Sequence, residues 1–104
     1  MPSLTFWTPN RAEMGALQEI IAERRRQDEK WGQQDHSVVE WVSILAEEFG
    51  EAARAGNHYY FMKQKESFDL DTLETWKKNY RQELIETAAV CIAAIENLDR
   101  HLYE

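Results

Sequence analysis

The sequence is poor in residues that cross-link a chain or interrupt its regular structure, since its 104 residues include 1 Cys, 2 Pro and 4 Gly. A single cysteine excludes an internal disulfide framework. Long apolar runs are also missing, because no stretch approaches the roughly 20 consecutive apolar residues of a membrane-spanning helix. No basic segment followed by an apolar one occurs near the N terminus, so no secretory signal is evident. We therefore expect a cytoplasmic protein without a membrane partner.

Basic residues are scarce as well. The chain carries 12 Lys and Arg against 19 Asp and Glu, a formal net charge of -7 at pH 7. Because contacts with nucleic acid phosphates need an accessible basic surface, this balance argues against a nucleic acid polymer as the main partner. Hydrophobic residues make up 43% of the chain, which argues against disorder. At this length we expect a single domain, residues 1–104, with a small core.

Capping patterns divide the chain into three predicted helices, because residues 10–13, 37–40 and 71–74 each place a polar cap three positions before a glutamate. The first helix is predicted to end near Gly32 and the second near residues 56–57, whereas the third runs for about 30 residues without Gly or Pro. The expected fold class is all-α, a bundle of three long helices per chain. A connecting loop with room for a short helical turn is expected over residues 57–70, and a flexible or arm-like N terminus over residues 1–9.

Apolar patterns in the second and third helices predict their packing. One apolar stripe in the second helix comprises Val38, Trp41, Val42, Leu45, Phe49, Ala52 and Ala53. In the third helix, residues 87–95 contain no charge on any side, and a helix that is apolar all round is buried on several sides. Three helices cannot easily surround it. We therefore expect a second copy of the chain to complete the bundle, as a homodimer or a homotetramer.

Two glutamates occupy the apolar phase of these helices instead of the solvent side. Glu48 continues the spacing of Trp41 and Leu45, and Glu51 follows on the same side one turn later. Glu47 crowds the same turn. In the third helix, Glu83 falls in phase with Trp76, Tyr80, Thr87 and Val90, and Glu86 follows one turn later. Antiparallel packing of the two helices would bring these pairs together.

Carboxylates placed together in an apolar environment need a cation, because burying an unpaired charge costs several kcal/mol or forces protonation. Oxygen ligands alone favour a hard cation, Mg²⁺ or Mn²⁺, over zinc. A di-iron bundle needs Glu-x-x-His on two helices, and none of His36, His58 and His101 has a glutamate three residues before it. Glu-Glu-x-x-Glu also occurs as a solvated face of charged helices. From the residues alone, a metal site and a solvated face both stay open.

The motif Glu47-Glu48-Phe49-Gly50-Glu51, followed by Glu83-Leu84-Ile85-Glu86, resembles the Glu-Glu-x-x-Glu and Glu-x-x-Asp pattern of the MazG-like, all-α nucleoside triphosphate pyrophosphohydrolases. Residues 23–32 are also similar to the first-helix segment of small MazG-like proteins, so the resemblance covers roughly residues 17 to 98. It implies an oligomeric helical bundle that hydrolyses a nucleoside triphosphate to the monophosphate and pyrophosphate with Mg²⁺, or alternatively Mn²⁺. The implied metal ligands are Glu48, Glu51, Glu83 and Glu86, and Glu47 would orient or deprotonate the attacking water.

The chain departs from the family pattern in two respects. Glu86 stands where the family usually has Asp, so its carboxylate reaches one methylene further. Longer family members carry a basic segment after the last carboxylate pair, whereas Arg100 and His101 are the only basic residues in the 18 positions after Glu86. The residues expected to bind substrate are therefore Arg26, Lys30, Lys63 and Lys65 for the phosphates and Trp31 for the base.

Two other functions are compatible with the same residues. The first is a non-enzymatic helical oligomerisation module whose glutamates pair with arginines across the interface. The second is a family member that binds nucleotides without hydrolysing them.

Overall fold

A computed structural model describes residues 8–65 and 67–101, and within these residues the regular structure is entirely helical. The described helices are α1 (Arg11–Trp31), α2 (Val38–Lys63) and α3 (Leu70–Arg100). The predicted all-α class is therefore confirmed. In the described part of the chain, none of these helices is long and apolar enough to cross a membrane. Most of the predicted N-terminal arm, residues 1–7, lies outside the described residues.

The first two helices begin where the sequence predicts. The Asn10 side chain accepts a hydrogen bond from the Glu13 backbone N–H at 2.9 Å, and Ser37 Oγ accepts one from the Glu40 N–H at 3.2 Å. Both glutamates accept in return from the N–H of their capping residue at 2.8 and 2.9 Å. The predicted end of α1 is also confirmed, because Gly32 adopts a φ of 72°, which suits a residue without a side chain.

The predicted end of α2 near residues 56–57 is wrong, and so is the loop predicted from residue 57 onwards. The helix continues through residues 57–63, and the connection to α3 covers residues 64–69. Gly56 serves helix packing rather than helix termination: a Cβ at this position would lie 2.9 Å from the Tyr80 Cε1 atom. The glycine therefore lets α2 and α3 approach closely.

The third helix begins slightly earlier than predicted. Asp69, not Asp71, is its capping residue, and its side chain accepts from the Asp71 backbone N–H at 3.3 Å and from the Thr72 hydroxyl at 2.7 Å. From Leu70 onwards, α3 runs without a break over 31 residues. The molecule is correspondingly elongated, with dimensions of 56 × 35 × 24 Å.

The central helix of the bundle is α3, which packs against both α1 and α2. It runs parallel to α1, because Arg81 pairs with Glu19 and Arg24 pairs with Glu96, the latter at 3.0 Å. In the described part of the chain, α1 and α2 make no close backbone approach to one another. A cleft therefore lies between α1 and α2, and α3 forms its floor.

The packing of α2 on α3 is antiparallel. Near one end of the pair, the Trp41 indole N–H donates to Asn97 Oδ1 at 2.7 Å, and near the other the rings of His58 and Trp76 meet edge to face at 4.4 Å. The buried hydrophobic residues between these points are Trp41, Ala52, Ala55, Ile85, Ala89 and Val90. Among the residues that the structure describes, Trp41 is the only large aromatic side chain of this core.

The charge-free run of α3 is only partly buried within one chain. Ala89 and Val90 are buried, whereas Cys91 and Ile95 are exposed. The predicted stripe of α2 divides in the same way, because Trp41 and Ala52 face α3 while Phe49 is exposed. Each of these helices therefore has a second apolar side that the described residues of the chain leave exposed.

Candidate metal centre

The antiparallel packing of α2 and α3 brings together three of the four glutamates that the sequence predicts as metal ligands. Glu48, Glu83 and Glu86 each offer one carboxylate oxygen, and these atoms lie within 4.8 Å of one another. Thr87 fixes the local register, since its hydroxyl donates to the Glu83 carbonyl at 2.7 Å and lies 3.4 Å from the Glu48 carbonyl. The Thr87 hydroxyl thus connects the backbone of α2 at Glu48 with the backbone of α3 at Glu83, next to the carboxylates.

Of the three glutamates, Glu83 lies in the environment that is least favourable for an ionised carboxylate. Burial, followed by the negative charges of Glu86 and Glu51 and by hydrogen bonding to them, raises the pKa of Glu83 from 4.5 to about 7. Its Oε2 atom is buried and has no hydrogen-bond donor among the described residues. A proton or a cation is therefore needed to satisfy this oxygen.

The pKa of Glu48 is raised by the same two effects, burial and neighbouring carboxylates. Burial is the largest cause that raises its pKa, followed by the charges of Glu51, Glu86, Glu47 and Glu23. Glu47, the predicted base, is exposed beside it. The mutual repulsion of these glutamates shows that the described residues do not fully neutralise the negative charge around Glu48 and Glu83.

Glu51, the fourth predicted ligand, is exposed and lies outside the group of three. It is nevertheless close enough to Glu83 to raise the pKa of that residue. Together with Glu83 and Arg54, it lines an open cavity of about 460 Å³ on the far side of the cluster. Arg54 was not predicted as a site residue.

A fifth carboxylate, Glu23 on α1, was also missed by the sequence reasoning. Its side chain is 8% exposed, accepts a close hydrogen bond from Arg26 and lies 3.4 Å from the Gln27 amide. Arg26 also lies 3.8 Å from Glu86, so it links α1 to the carboxylates of α3. A sequence signal was present, because Glu23 continues the spacing of Ala16 and Ile20, as Glu48 does in α2.

Three of the predicted substrate-binding residues border the carboxylates directly. A cavity of about 350 Å³ is lined by Glu23, Arg26, Gln27, Lys30, Trp31, Glu48 and Glu86. The Lys30 ammonium lies 4.8 Å from the centre of the Trp31 ring. Positive groups from α1 therefore face carboxylates from α2 and α3 across this cavity.

A second cavity, of about 310 Å³, shares Trp31 and Glu48 with the first and extends towards Trp41 and His36. Two indole rings and the amides of Gln27 and Gln34 line it. Flat apolar walls with a few polar groups are typical of sites for small aromatic ligands.

The structure does not bring the other two predicted substrate-binding residues to the carboxylates. The ammonium group of Lys63 lies 5.9 Å from the Tyr59 ring, and Lys65 borders a cavity with Phe61 and Trp76. Among residues 8–65 and 67–101, no acidic residue lines either of the cavities that these two lysines border. At 1.5 Å per residue, Lys63 lies about 18 Å along α2 from Glu51.

The donor set fits a hard divalent cation. All three converging groups are carboxylates, and Glu83 contributes a buried oxygen that no described donor satisfies. Oxygen-only donors of this kind suit Mg²⁺ and Mn²⁺, whereas zinc prefers nitrogen and sulfur.

Comparison of the chain with protein-family models, with curated proteins and with solved structures found no match. The resemblance to the MazG-like enzymes therefore rests on the motif residues alone.

Proposed function

We propose that this chain is a MazG-like pyrophosphohydrolase that converts a nucleoside triphosphate to the nucleoside monophosphate and pyrophosphate, with Mg²⁺ or alternatively Mn²⁺ as cofactor. The observation that carries this proposal is the convergence of Glu48, Glu83 and Glu86 around an unsatisfied buried oxygen. These three glutamates and Glu51 are the proposed metal ligands. A solvated face of glutamates would not bury an oxygen without a partner.

The residues around the cluster support separate roles in metal binding, phosphate binding and base stacking. A bound divalent cation supplies positive charge to the triphosphate and lowers the pKa of water. Lys30 and Arg26 line the cavity beside Glu48 and Glu86, where they can meet phosphate oxygens. Trp31 borders both cavities, which suits a base stacked next to the phosphates.

In the proposed reaction, water attacks the α-phosphorus and the bond from that phosphorus to the bridging oxygen breaks, releasing pyrophosphate. Glu47 accepts the proton that the water loses. Its exposed position beside Glu48 suits this role, because the carboxylate can return the proton to solvent after each turnover.

The proposal also includes a homo-oligomer, a dimer or a tetramer, in the cytoplasm. The exposed apolar side of the charge-free run, with Cys91 and Ile95, supports a second copy as the partner.

Product analysis tests the activity. The full chain is incubated with Mg²⁺ and a panel of ribo-, deoxyribo- and base-modified triphosphates, and release of pyrophosphate is compared with release of phosphate. The variants Glu48→Gln and Glu83→Gln keep the size of each side chain and remove one ligand charge. Glu74→Gln, an exposed position on the same α3, is the matched control.

The hydrolase proposal requires pyrophosphate release by the parent chain and by Glu74→Gln, and its loss in both site variants. Metal-dependent triphosphate binding without turnover would instead support a nucleotide-binding protein without activity. An oligomer that binds neither metal nor triphosphate would support the oligomerisation module.

A further inference from the structure

The C-terminal end of α3 contacts every other element that surrounds the cavity of about 310 Å³. Glu96 accepts two hydrogen bonds from the Arg24 guanidinium of α1, at 3.0 and 3.2 Å. Asn97 accepts from the Trp41 indole of α2 and from the backbone N–H of His36, both at 2.7 Å. The three donor residues line the cavity, whereas Glu96 and Asn97 are outside its lining. The end of α3 therefore supports the walls of the cavity from behind.

The two tryptophan walls of this cavity belong to helices that do not pack on one another. Trp31 is the last residue of α1 and Trp41 lies in the first turn of α2. Among the described residues, α1 and α2 make no close backbone approach, and residues 32–37 connect them without regular structure. The separation of the two walls therefore depends on the contacts that each element makes with α3.

Asn97 is the centre of these contacts. It is buried, its Oδ1 atom accepts the two hydrogen bonds described above, and its Nδ2 atom donates to Asp35 Oδ1 at 3.3 Å. Both polar atoms of the amide are thus engaged, which fixes its orientation. Arg100 adds bonds to the Gln34 carbonyl at 3.1 Å and to Asp35 at 2.9 Å. Together, these two α3 side chains fasten Gln34, Asp35 and His36 to the helix.

The two tryptophans differ in how firmly they are held. Trp41 is buried, its indole N–H is occupied by Asn97, and the His36 ring packs against it edge to face at 4.8 Å. Trp31 is 61% exposed. Trp41 therefore offers a ligand a fixed aromatic surface but no free hydrogen-bond donor. A wall that is ordered before binding lowers the entropic cost of ordering the site around a ligand.

We propose that Asn97 is a positioning residue for the base of the bound nucleotide: it holds Trp41 and residues 32–37 in the arrangement that the base contacts, without touching the base itself. This inference rests on the nucleoside triphosphate binding proposed above. It concerns the base alone, because Asn97 lies about 17 Å along α3 from Glu86 and the other clustered carboxylates. Loss of Asn97 should therefore weaken the binding of a nucleotide but not that of a polyphosphate without a base.

Calorimetric titration of the full chain with Mg²⁺ and two probes tests this separation. One probe is inorganic tripolyphosphate. The other is a panel of α,β-imido nucleoside triphosphates, in which nitrogen replaces the bridging oxygen of the bond that the proposed reaction breaks. The ratio of the tripolyphosphate Kd to the Kd of the tightest-binding analogue, here called the base ratio, measures what the nucleoside adds to binding.

The variants change the support of the cavity walls in steps. Asn97→Ser is too short to reach both donors and should lower the base ratio about tenfold, since stacking of a base on an aromatic ring is typically worth that much. Asn97→Asp keeps an acceptor for both N–H groups and should restore most of the ratio. Arg100→Gln frees the Gln34 carbonyl and should lower the ratio less than Asn97→Ser does.

Gly56→Ala is the control for a general loss of stability. A Cβ at this position would meet the Tyr80 ring, far along α2 from Trp41, so the variant should be destabilised without disturbing the cavity. Its base ratio should equal that of the parent chain. A fall in the ratio for Asn97→Ser but not for Gly56→Ala therefore supports positioning over a purely structural role.

The other outcomes separate this inference from the proposed function. An unchanged ratio in Asn97→Ser, or in Arg100→Gln where Asn97→Ser does not fold, overturns the positioning role and leaves triphosphate binding intact. A ratio as low in Asn97→Asp as in Asn97→Ser also overturns it, as does a parent chain that binds both probes equally. A parent that binds none of the analogues overturns the inference together with the proposed function. Binding of the analogues without hydrolysis of triphosphates contradicts the hydrolase alone.

Discussion

Glu48 on α2 and Glu83 on α3 place carboxylate oxygens within 4.8 Å of one another across the interface of two antiparallel helices. Each is a negative charge that helix packing would normally exclude, and burial together with neighbouring glutamates raises the pKa of both. The metal-free chain therefore carries a local electrostatic conflict at this point. In the proposed enzyme, a divalent cation would relieve it.

Without metal, Glu83 should make the stability of the protein fall as the pH rises. The folded-state pKa of Glu83 is about 7, above its ordinary value of 4.5. The folded chain therefore holds this proton more tightly than the unfolded chain, so the contribution is full below pH 4.5 and is lost as the pH passes through 7. Thermal melts in the presence of a chelator, from pH 5 to pH 8, measure this fall.

Glu83→Gln is the control for that measurement, because the amide cannot ionise. The variant should lose most of the pH dependence over this range and should melt above the parent at pH 8. Parallel pH profiles for the parent and the variant would show that Glu83 does not titrate in this window.

Asn97 should be important for stability although it is polar. It is 4% exposed, and its Oδ1 atom accepts hydrogen bonds at 2.7 Å from both the Trp41 indole N–H and the His36 backbone N–H. Asn97→Leu leaves both donors without a partner and is expected to cost about 2–4 kcal/mol in chemical denaturation. Asn79→Leu, an exposed position on the same helix, should change stability by less than about 0.5 kcal/mol.

A double-mutant cycle checks the cause. In a Trp41→Phe background one of the two donors is already gone, so Asn97→Leu should cost about 1 kcal/mol less than in the parent. Equal costs in both backgrounds would argue against the indole hydrogen bond as the source of the effect.

Gly56 should respond to substitution in the opposite sense to Gly15, although both lie inside helices. Alanine at position 56 would place its Cβ 2.9 Å from the Tyr80 ring, whereas a Cβ at Gly15 has nothing within 4 Å. Gly56→Ala is expected to destabilise the protein by about 1–3 kcal/mol through overpacking. Gly15→Ala should stabilise it by about 0.5–1 kcal/mol through helix propensity. Denaturant titration measures both, and stabilisation by Gly56→Ala would contradict the close packing of α2 on α3.

Lys30 should contribute to substrate binding more than Lys63. Lys30 shares a cavity with Glu48 and Glu86, whereas no acidic residue in the described part of the chain lines the cavity that Lys63 borders. For the triphosphate that the chain hydrolyses, Lys30→Gln is expected to raise KM about tenfold, the loss of about 1.4 kcal/mol of phosphate binding. Lys63→Gln is the matched variant and should leave KM unchanged. Steady-state kinetics that show the reverse order would place phosphate binding at the other end of α2.

Local signals in the sequence were sufficient to predict where α1 and α2 begin. The caps of Asn10 and Ser37 depend on residues three positions away, so they are visible in a short window. Gly56 could not be read in this way, because its role depends on Tyr80, which lies on another helix. The Gly56-Asn57 pair resembles a helix end in the sequence. In the fold, Gly56 instead lies where α2 closely approaches the Tyr80 ring of α3.

The glutamates of the candidate site could be predicted from their positions on the apolar sides of the helices. Glu48 and Glu83 stood out because each interrupts an apolar stripe, and the structure brings them together with Glu86. Glu23 satisfies the same criterion on α1 but was not predicted, because its approach to Glu48 and its link through Arg26 to Glu86 depend on how α1 packs against the other two helices. The separation of Lys63 from the carboxylates could not be predicted, because it depends on α2 continuing as one helix to that residue.

Electron paramagnetic resonance can show whether the carboxylates of α2 and α3 bind Mn²⁺, because the signal of free Mn²⁺ falls as the ion is bound. We expect the parent chain and Glu74→Gln to bind the ion. Glu48→Gln and Glu83→Gln are expected to bind it at least about tenfold more weakly, since even outer-shell changes weaken metal sites to that extent. Equal binding by all four proteins, or no binding by the parent, would contradict a metal centre built from α2 and α3.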